Sequence, residues 1–206
     1  MSGGFNLRAL TAPDIARCFE MASRIFAAES TLHRALNVEL AAYRAYLHPS
    51  FVEMAEEGLS FIAVDPNDDS LLGCLIATDY RPGENAPIDP GSSMAPLKAL
   101  SAELFRGYEP DAPTLLVDMG AVLPEASGRG IYGAMRREIE TLAAARGYRL
   151  ILGALSSETT QHVVLNQMGH RAVAKVPFES FAFDGRYPFA GISRPKALIL
   201  SEGSIP

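Results

Sequence analysis

Between Val122 and Gly133 the chain reads Val-Leu-Pro-Glu-Ala-Ser-Gly-Arg-Gly-Ile-Tyr-Gly, with glycines at 128, 130 and 133. Glycines at a helix start let backbone N–H groups turn inward, where first-turn donors have no intrahelical partner and the helix dipole is positive. Such a turn suits an anion, and a pyrophosphate above all. The candidate binding set is Val122, Gly128, Arg129, Gly130, Ile131, Tyr132 and Gly133. A plainer use of the same glycines is a tight turn needing their backbone angles. Just upstream, Asp118 is an acid inside an otherwise apolar run, and a buried strand acid needs a partner or a function. Glu29 closes a helical stretch with an apolar face and follows Phe26 closely, a setting that can raise a carboxyl pKa. The plain alternative is a solvated surface glutamate. Ser156 and Ser157 precede Glu158, where a serine is either a reactive hydroxyl or a helix N-cap.

The elements that must position these groups follow from periodicity and punctuation. Residues 5–10 read as a strand, after which Thr11, Pro13 and Asp14 form a capping-box-like helix start. Ile15, Phe19, Ala22 and Phe26 then recur at helical spacing. A second helix is expected over 38–47, interrupted at Pro49 and resuming briefly to Glu57, with Gly58 as its stop. Residues 59–64 and 71–78 read as an antiparallel hairpin around a loop crowded with Asp, Asn and Pro. A loop over 81–93 and a helix over 96–108 follow. Residues 114–123 form a buried central strand interrupted by Asp118 and Gly120, and a helix runs from Ile131 to Arg146 with Gly147 beyond it. A strand over 150–155, a helix over 158–168 and further strand-like runs complete the chain. Phe178, Phe181, Phe183, Tyr187 and Phe189 have the alternation of sheet packing and could also line a pocket.

The composition sets bounds. With 206 residues, 48% of them hydrophobic, the chain can bury one core without disulfide or metal support, so a single domain over 1–206 is expected. Its 18 Lys plus Arg against 24 Asp plus Glu argue against nucleic-acid and anionic-membrane partners. No apolar run approaches the length of a membrane helix, and the first ten residues have no apolar region like a signal peptide, so a cytoplasmic location is expected. Cys18 and Cys74 make no redox or metal motif and are expected in the core. His33, His48, His162 and His170 lack paired metal-ligand spacing, so no metal is expected.

Val122, Pro124 and Glu125 followed by Gly128 and Gly130 resemble the pyrophosphate loop of the GNAT superfamily, the acetyl-CoA-dependent N-acyltransferases. Ser127 and Tyr132 depart from that pattern, standing where Arg or Gln and Gly or Ala are usual. The segment Phe26-Ala-Ala-Glu29-Ser, the long connection over 81–113, Ser156-Ser157 and the segment 177–185 are similar to the dopamine and arylalkylamine N-acetyltransferase-like branch. The resemblance implies a mixed, largely antiparallel α/β sheet flanked by helices and split before Gly128. It also implies acetyl transfer from acetyl-CoA to a primary amine of a small molecule in a ternary complex. Because an alkylammonium must first lose a proton, the implied catalytic set is Glu29 and Ser157, with Asp118 as a second acid. Leu165 stands where many members carry a tyrosine that protonates the leaving thiolate, which keeps open a non-catalytic acyl-CoA-binding sensor.

Two other chemistries fit the residues less well. Gly128, Gly130 and Gly133 also match a dinucleotide fingerprint, but five residues separate strand from first glycine, and no alternating strand–helix pattern follows Gly169. A covalent cysteine route lacks a histidine beside either thiol. The acceptor is expected to be a small hydrophobic or arylalkyl amine in a pocket walled by residues 81–113 and the late aromatic segment; a homodimer is allowed.

Overall fold

The computed structural model describes residues 4–83, 88–89 and 91–205. Strand β1 (Asn6–Ala9) leads through a 3-10 turn (Ala12–Asp14) into α1 (Ile15–Glu29), and the expected capping box between Thr11 and Asp14 is present. Helix α2 (Thr31–Leu36), not anticipated from the residue pattern, ends at Asn37 in the left-handed conformation.

Helix α3 (Leu40–Glu56) runs unbroken through Pro49, against the expected interruption. Tyr43, Leu47, Phe51 and Ala55 are buried at intervals of four along one stripe. Burying large apolar side chains at roughly 1.5–3 kcal/mol each outweighs the roughly 3 kcal/mol that an interior proline costs.

Strands β2 (Phe61–Val64) and β3 (Leu71–Asp79) form the expected antiparallel hairpin, with Ile62 opposite Cys74. Residues 84–87 and 90 of the expected loop lie outside the described residues. Helix α4 (Ala95–Leu104) is shorter than anticipated, whereas β4 (Thr114–Val122), α5 (Ile131–Ala145) and β5 (Leu150–Leu155) fall where the pattern put them. The expected helix over 158–168 is instead one α-helical turn, α6 (Glu158–Gln161), continued by a π-helical turn (His162–Gln167). The last strands are β6 (Arg171–Pro177) and β7 (Ala197–Ser204). The aromatic segment between them is not sheet: Phe178 and Phe189 are fully buried within a loop, and Tyr187 is exposed.

Among the described residues seven strands lie in the order β1-β2-β3-β4-β5-β7-β6, and only β4–β5 is parallel. That order excludes a doubly wound sheet. Helix α5 covers one face over Leu75, Leu115 and Ile151, while α1 and α3 cover the other over Ile62, Cys74 and Ile76. Cys18 and Cys74 are both fully buried, as expected of core residues. Helix α4 and the aromatic loop close a third cluster around Leu152 and Leu200.

Candidate active site

The parallel pair is short. Rungs run from Thr114–Leu150 to Val117–Gly153, beyond which β4 pairs only with β3 and β5 only with β7. At the fork a β-bulge places Val117 opposite Ala77 and Met119 opposite Ile76, leaving Asp118 unpaired between them. The bulge breaks the alternation of side chains, so Asp118 and Met119 both turn to the α1–α3 face.

Three cavities, of about 580, 370 and 360 Å³, all reach Asp118. The Asp118 side chain is open to their lumen, but the protein mass around it shields it from bulk water. Desolvation therefore raises its pKa above the ordinary carboxylate value. It accepts no hydrogen bond among the described residues.

The 370 Å³ cleft lies in the fork and brings together Glu29, Asp118, Ser156 and Ser157 with Tyr132 and Arg136 of α5. Glu29, the last residue of α1, is exposed at this cleft. Ser157 is the N-cap of α6: its Oγ accepts the Thr160 amide at 3.1 Å, and the two hydroxyls lie 3.0 Å apart. Gln161 fastens the fork's far side by donating to the carbonyls of Leu155 and Ala197 at 3.1 and 3.0 Å.

The 360 Å³ cavity adjoins that cleft at Phe26, Asp118 and Ser156 and is lined further by Leu47 and Leu97, with His33, Tyr43, Tyr46 and Lys98 among its polar groups. Burial, followed by the charge of Asp118, pushes the Tyr46 phenol up to about 12 and raises Tyr43 further. Burial pulls His33 down to about 4, and neither of its ring nitrogens has a hydrogen-bond partner. Residues 97, 98 and 101 supply the wall expected from the long connection. The late aromatic residues do not line this cavity, because they are consumed in the core beneath α4.

The glycine turn sits at the opening of α5. Gly128 and Gly130 have φ of 76° and 78°, which places them in the left-handed region, and a side chain at either would point into open space. The first backbone hydrogen bond of α5 is Ala134 N–H to Gly130 O at 3.0 Å, so among the described residues the amides of 128–133 donate to no backbone carbonyl. A pyrophosphate fits that geometry. Arg129 does not lean over the turn, since its Nη2 donates to the Gly4 carbonyl at 2.7 Å. Val122 packs under α5. Tyr132 packs its ring against Gly120, where any Cβ would lie 2.6 Å from Cε2, so the bulk added on α5 is offset by its absence from β4. Leu165 lies in the π-helical turn, half-buried, and lines none of the three cavities.

Sequence reasoning missed His33, Tyr43, Tyr46 and Arg136. A usable signal for Arg136 was its place on the buried side of α5 together with glycines at 120 and 153 in the facing strands, since strand glycines mark close approach of another group.

No protein-family model and no curated sequence matches this chain. Solved structures do. The C-terminal condensation domain of Ebony in complex with β-alanyl-dopamine superposes with TM-score 0.84 at 17% identity, over 98% of this chain and 99% of that one. Arylalkylamine N-acetyltransferase 2 from Aedes aegypti gives 0.78 at 15% identity, over 98% and 100%. The Drosophila melanogaster polyamine N-acetyltransferase, which forms N-acetylagmatine, gives 0.73 at 14%, over 98% and 100%. The chain has the GNAT fold. In GNAT terms the β4–β5 fork is the split implied by the sequence resemblance, and the glycine turn stands at the start of the helix beside it. Among the described residues there is no cluster of three metal-ligating side chains, and no helix is long and apolar enough to cross a membrane.

Proposed function

We propose that this protein is an N-acyltransferase that moves an acyl group, acetyl in its simplest form, from acyl-CoA to the primary amine of a small molecule. The observation that carries this reading is Asp118. It is an unpaired acid with a raised pKa at the floor of a forked sheet, where a cleft beside the glycine turn meets an apolar cavity. The amides of residues 128–133 would hold the pyrophosphate, and the fork would hold the thioester arm. The apolar cavity would take the body of the amine, with its ammonium end drawn to Asp118.

Asp118 takes the proton that the ammonium must lose, since a carboxylate with a raised pKa is a better base than one in water. Glu29, at the exposed cleft, passes that proton to solvent. The freed amine attacks the thioester carbonyl directly, a C–N bond forms, the C–S bond breaks and the thiol leaves protonated. Ser157 suits the last step: its Oγ already accepts from the Thr160 amide, so its hydroxyl can give a proton to the departing sulfur and take in its place the second proton that the attacking nitrogen sheds as the amide forms. No protein nucleophile is needed, and both thiols are sealed in the core.

The apolar lining and the acidic focus favour arylalkyl or other hydrophobic amines over lysine peptides. The neighbours named for arylalkylamine and polyamine acetylation support that choice. A panel of phenethylamine, agmatine and a lysine peptide with acetyl-CoA, scored by CoA release, tests it. Preference for the peptide overturns the acceptor class. CoA binding without thiol release for any amine favours a sensor, the reading that Leu165 supports. Stabilisation by NAD and not by CoA overturns both.

A further inference from the structure

Arg136 is completely buried, and among the described residues none of its three guanidinium nitrogens has a partner at full hydrogen-bond geometry. It lies on α5 one turn beyond Tyr132 and lines the 370 Å³ cleft in the fork. Its Nη1 sits beneath Gly153, the last rung of the parallel pair, where even a methyl group would come within 3.3 Å. A guanidinium does not give up its proton, and a buried charge without a partner costs several kcal/mol. Elsewhere the fold pairs its cations: Arg8 and Arg17 hold Asp14, and Arg171 holds Glu202. Asp118, Glu29 and Glu158 line the same cleft, yet none forms an ion pair with Arg136 among the described residues. Burial raises the Tyr132 phenol, and the charge and a side-chain contact of Arg136 offset part of that rise, so this neutral phenol is a polar neighbour of the guanidinium and leaves its charge uncompensated.

An anion carried by a ligand would satisfy the guanidinium. Pyrophosphate at the glycine turn is not its partner, because the cleft that Arg136 lines includes none of residues 128–131 or 133 and its Nη1 lies under Gly153 of the sheet. Nor does the acceptor amine supply it, because Arg136 stands on the α5 face of the sheet and lines only the donor cleft. The anion must therefore be carried near the reacting end of the thioester.

We propose that the acyl group transferred carries a carboxylate of its own, as in a succinyl or glutaryl thioester, and that Arg136 binds that carboxylate at the floor of the fork. This rests on the N-acyltransferase reading and specifies its donor. The chemistry is unchanged: amine nitrogen replaces sulfur on the thioester carbon, the amine's proton leaves through Asp118, and the distal carboxylate stays ionised on Arg136 throughout. The product is an amide with a free acid.

Isothermal titration with CoA, acetyl-CoA, succinyl-CoA and glutaryl-CoA tests this without knowledge of the acceptor. Expected is binding of all four, with succinyl- or glutaryl-CoA at least about tenfold tighter than acetyl-CoA. In Arg136→Met that preference disappears, while the melting temperature stays level or rises, as expected when an unpaired buried charge gives way to an apolar isostere. Equal affinities for acetyl- and succinyl-CoA, with CoA itself bound, overturn the proposal and leave the acyltransferase reading standing. A large fall in the melting temperature of Arg136→Met also overturns it, by showing that the guanidinium has a structural partner. Binding of no CoA species overturns the acyltransferase reading and this proposal with it.

Discussion

Asp14 and Asp118 are the same residue in opposite settings. Asp14 is buried at the entrance of α1, where Arg8 reaches its two oxygens at 2.6 and 2.8 Å and Arg17 donates at 2.6 and 3.0 Å. The amide and hydroxyl of Thr11 complete the shell at 3.0 and 2.6 Å. These hydrogen bonds, with that of Arg8 foremost, outweigh desolvation and hold the Asp14 carboxyl well below the usual carboxylate range. At Asp118 desolvation acts alone, and the shift runs the other way. A satisfied acid locks a strand to a helix; an unsatisfied one is left to a ligand. His33 and Arg136 share the second condition, and all three line the cavities of the fork.

The sharpest way to break this contrast is to remove each charge in turn. Asp118→Asn keeps the shape and cannot take a proton, so amine-dependent CoA release is expected to fall by roughly 10²- to 10⁴-fold. Its stability is expected to move in the opposite direction. A carboxyl whose folded pKa is raised stabilises the fold below its unfolded pKa and loses that contribution as pH rises through the folded value. Asp118→Asn is therefore expected to melt higher than the parent at pH 8, with the gap closing in acid. An active variant that melts lower would make Asp118 a structural acid like Asp14.

Asp14→Asn is the mirror experiment. Breaking a fully buried pair costs about 3–5 kcal/mol, but Arg8 and Arg17 are 36% and 34% exposed, so solvent screening reduces the expected loss to about 2 kcal/mol. Because the folded pKa is depressed, the contribution of Asp14 is present above the ordinary carboxylate pKa and lost as pH falls below it. Urea midpoints at pH 7 and pH 3 measure this, and the variant's deficit should shrink at the lower value. Turnover per folded molecule should not change.

Glu29→Gln comes next, at about tenfold in turnover. Glu29 is exposed to solvent, so water can replace much of what it does, and CoA binding by titration should match the parent. A loss as large as that of Asp118→Asn would exchange the roles given to the two acids.

These contrasts also explain how far the sequence could be read. Most elements were legible because their signals are local: glycine stops at 58 and 147, alternation in 59–64, and apolar residues at helical spacing in α1 and α5. The unbroken α3 was not, because the four-residue stripe of Tyr43, Leu47, Phe51 and Ala55 outweighs Pro49 only once a sheet lies beneath it. At the site, the glycine turn and Asp118 stood out as a pattern and as an acid among apolar neighbours. Residues whose importance comes from long-range placement were hidden. Nothing near position 136 in the chain shows that its guanidinium will lie under Gly153, and nothing near position 33 shows that α2 carries a histidine into the 360 Å³ cavity. The late aromatic run was misread for the same reason, since its alternation of rings belongs to a loop packed beneath α4.

His33 gives the smallest effect at neutral pH and the most distinctive one in mild acid. Its imidazole packs edge-on against Tyr43, with centroids 4.3 Å apart, and against Phe26 at 5.9 Å. From every side it meets rings and aliphatic groups, with the Tyr43 and Tyr46 phenols, Lys98 and Asp118 as the other titratable side chains of the cavity. Desolvation lowers its pKa from 6.5 to about 4. Between those values the unfolded chain binds a proton that the folded chain refuses, so stability falls as pH drops from 6.5 towards 4. Asp14 loses its contribution only below that window, which separates the two acid limbs. His33→Leu is expected to match the parent's urea midpoint at pH 7 to within a small margin and to exceed it at pH 4.5, where the parent must keep an unpartnered imidazole neutral. Parallel curves for parent and variant across that window would show that His33 is protonated in the folded protein, and the 360 Å³ cavity would then carry a cation where a neutral ring is expected.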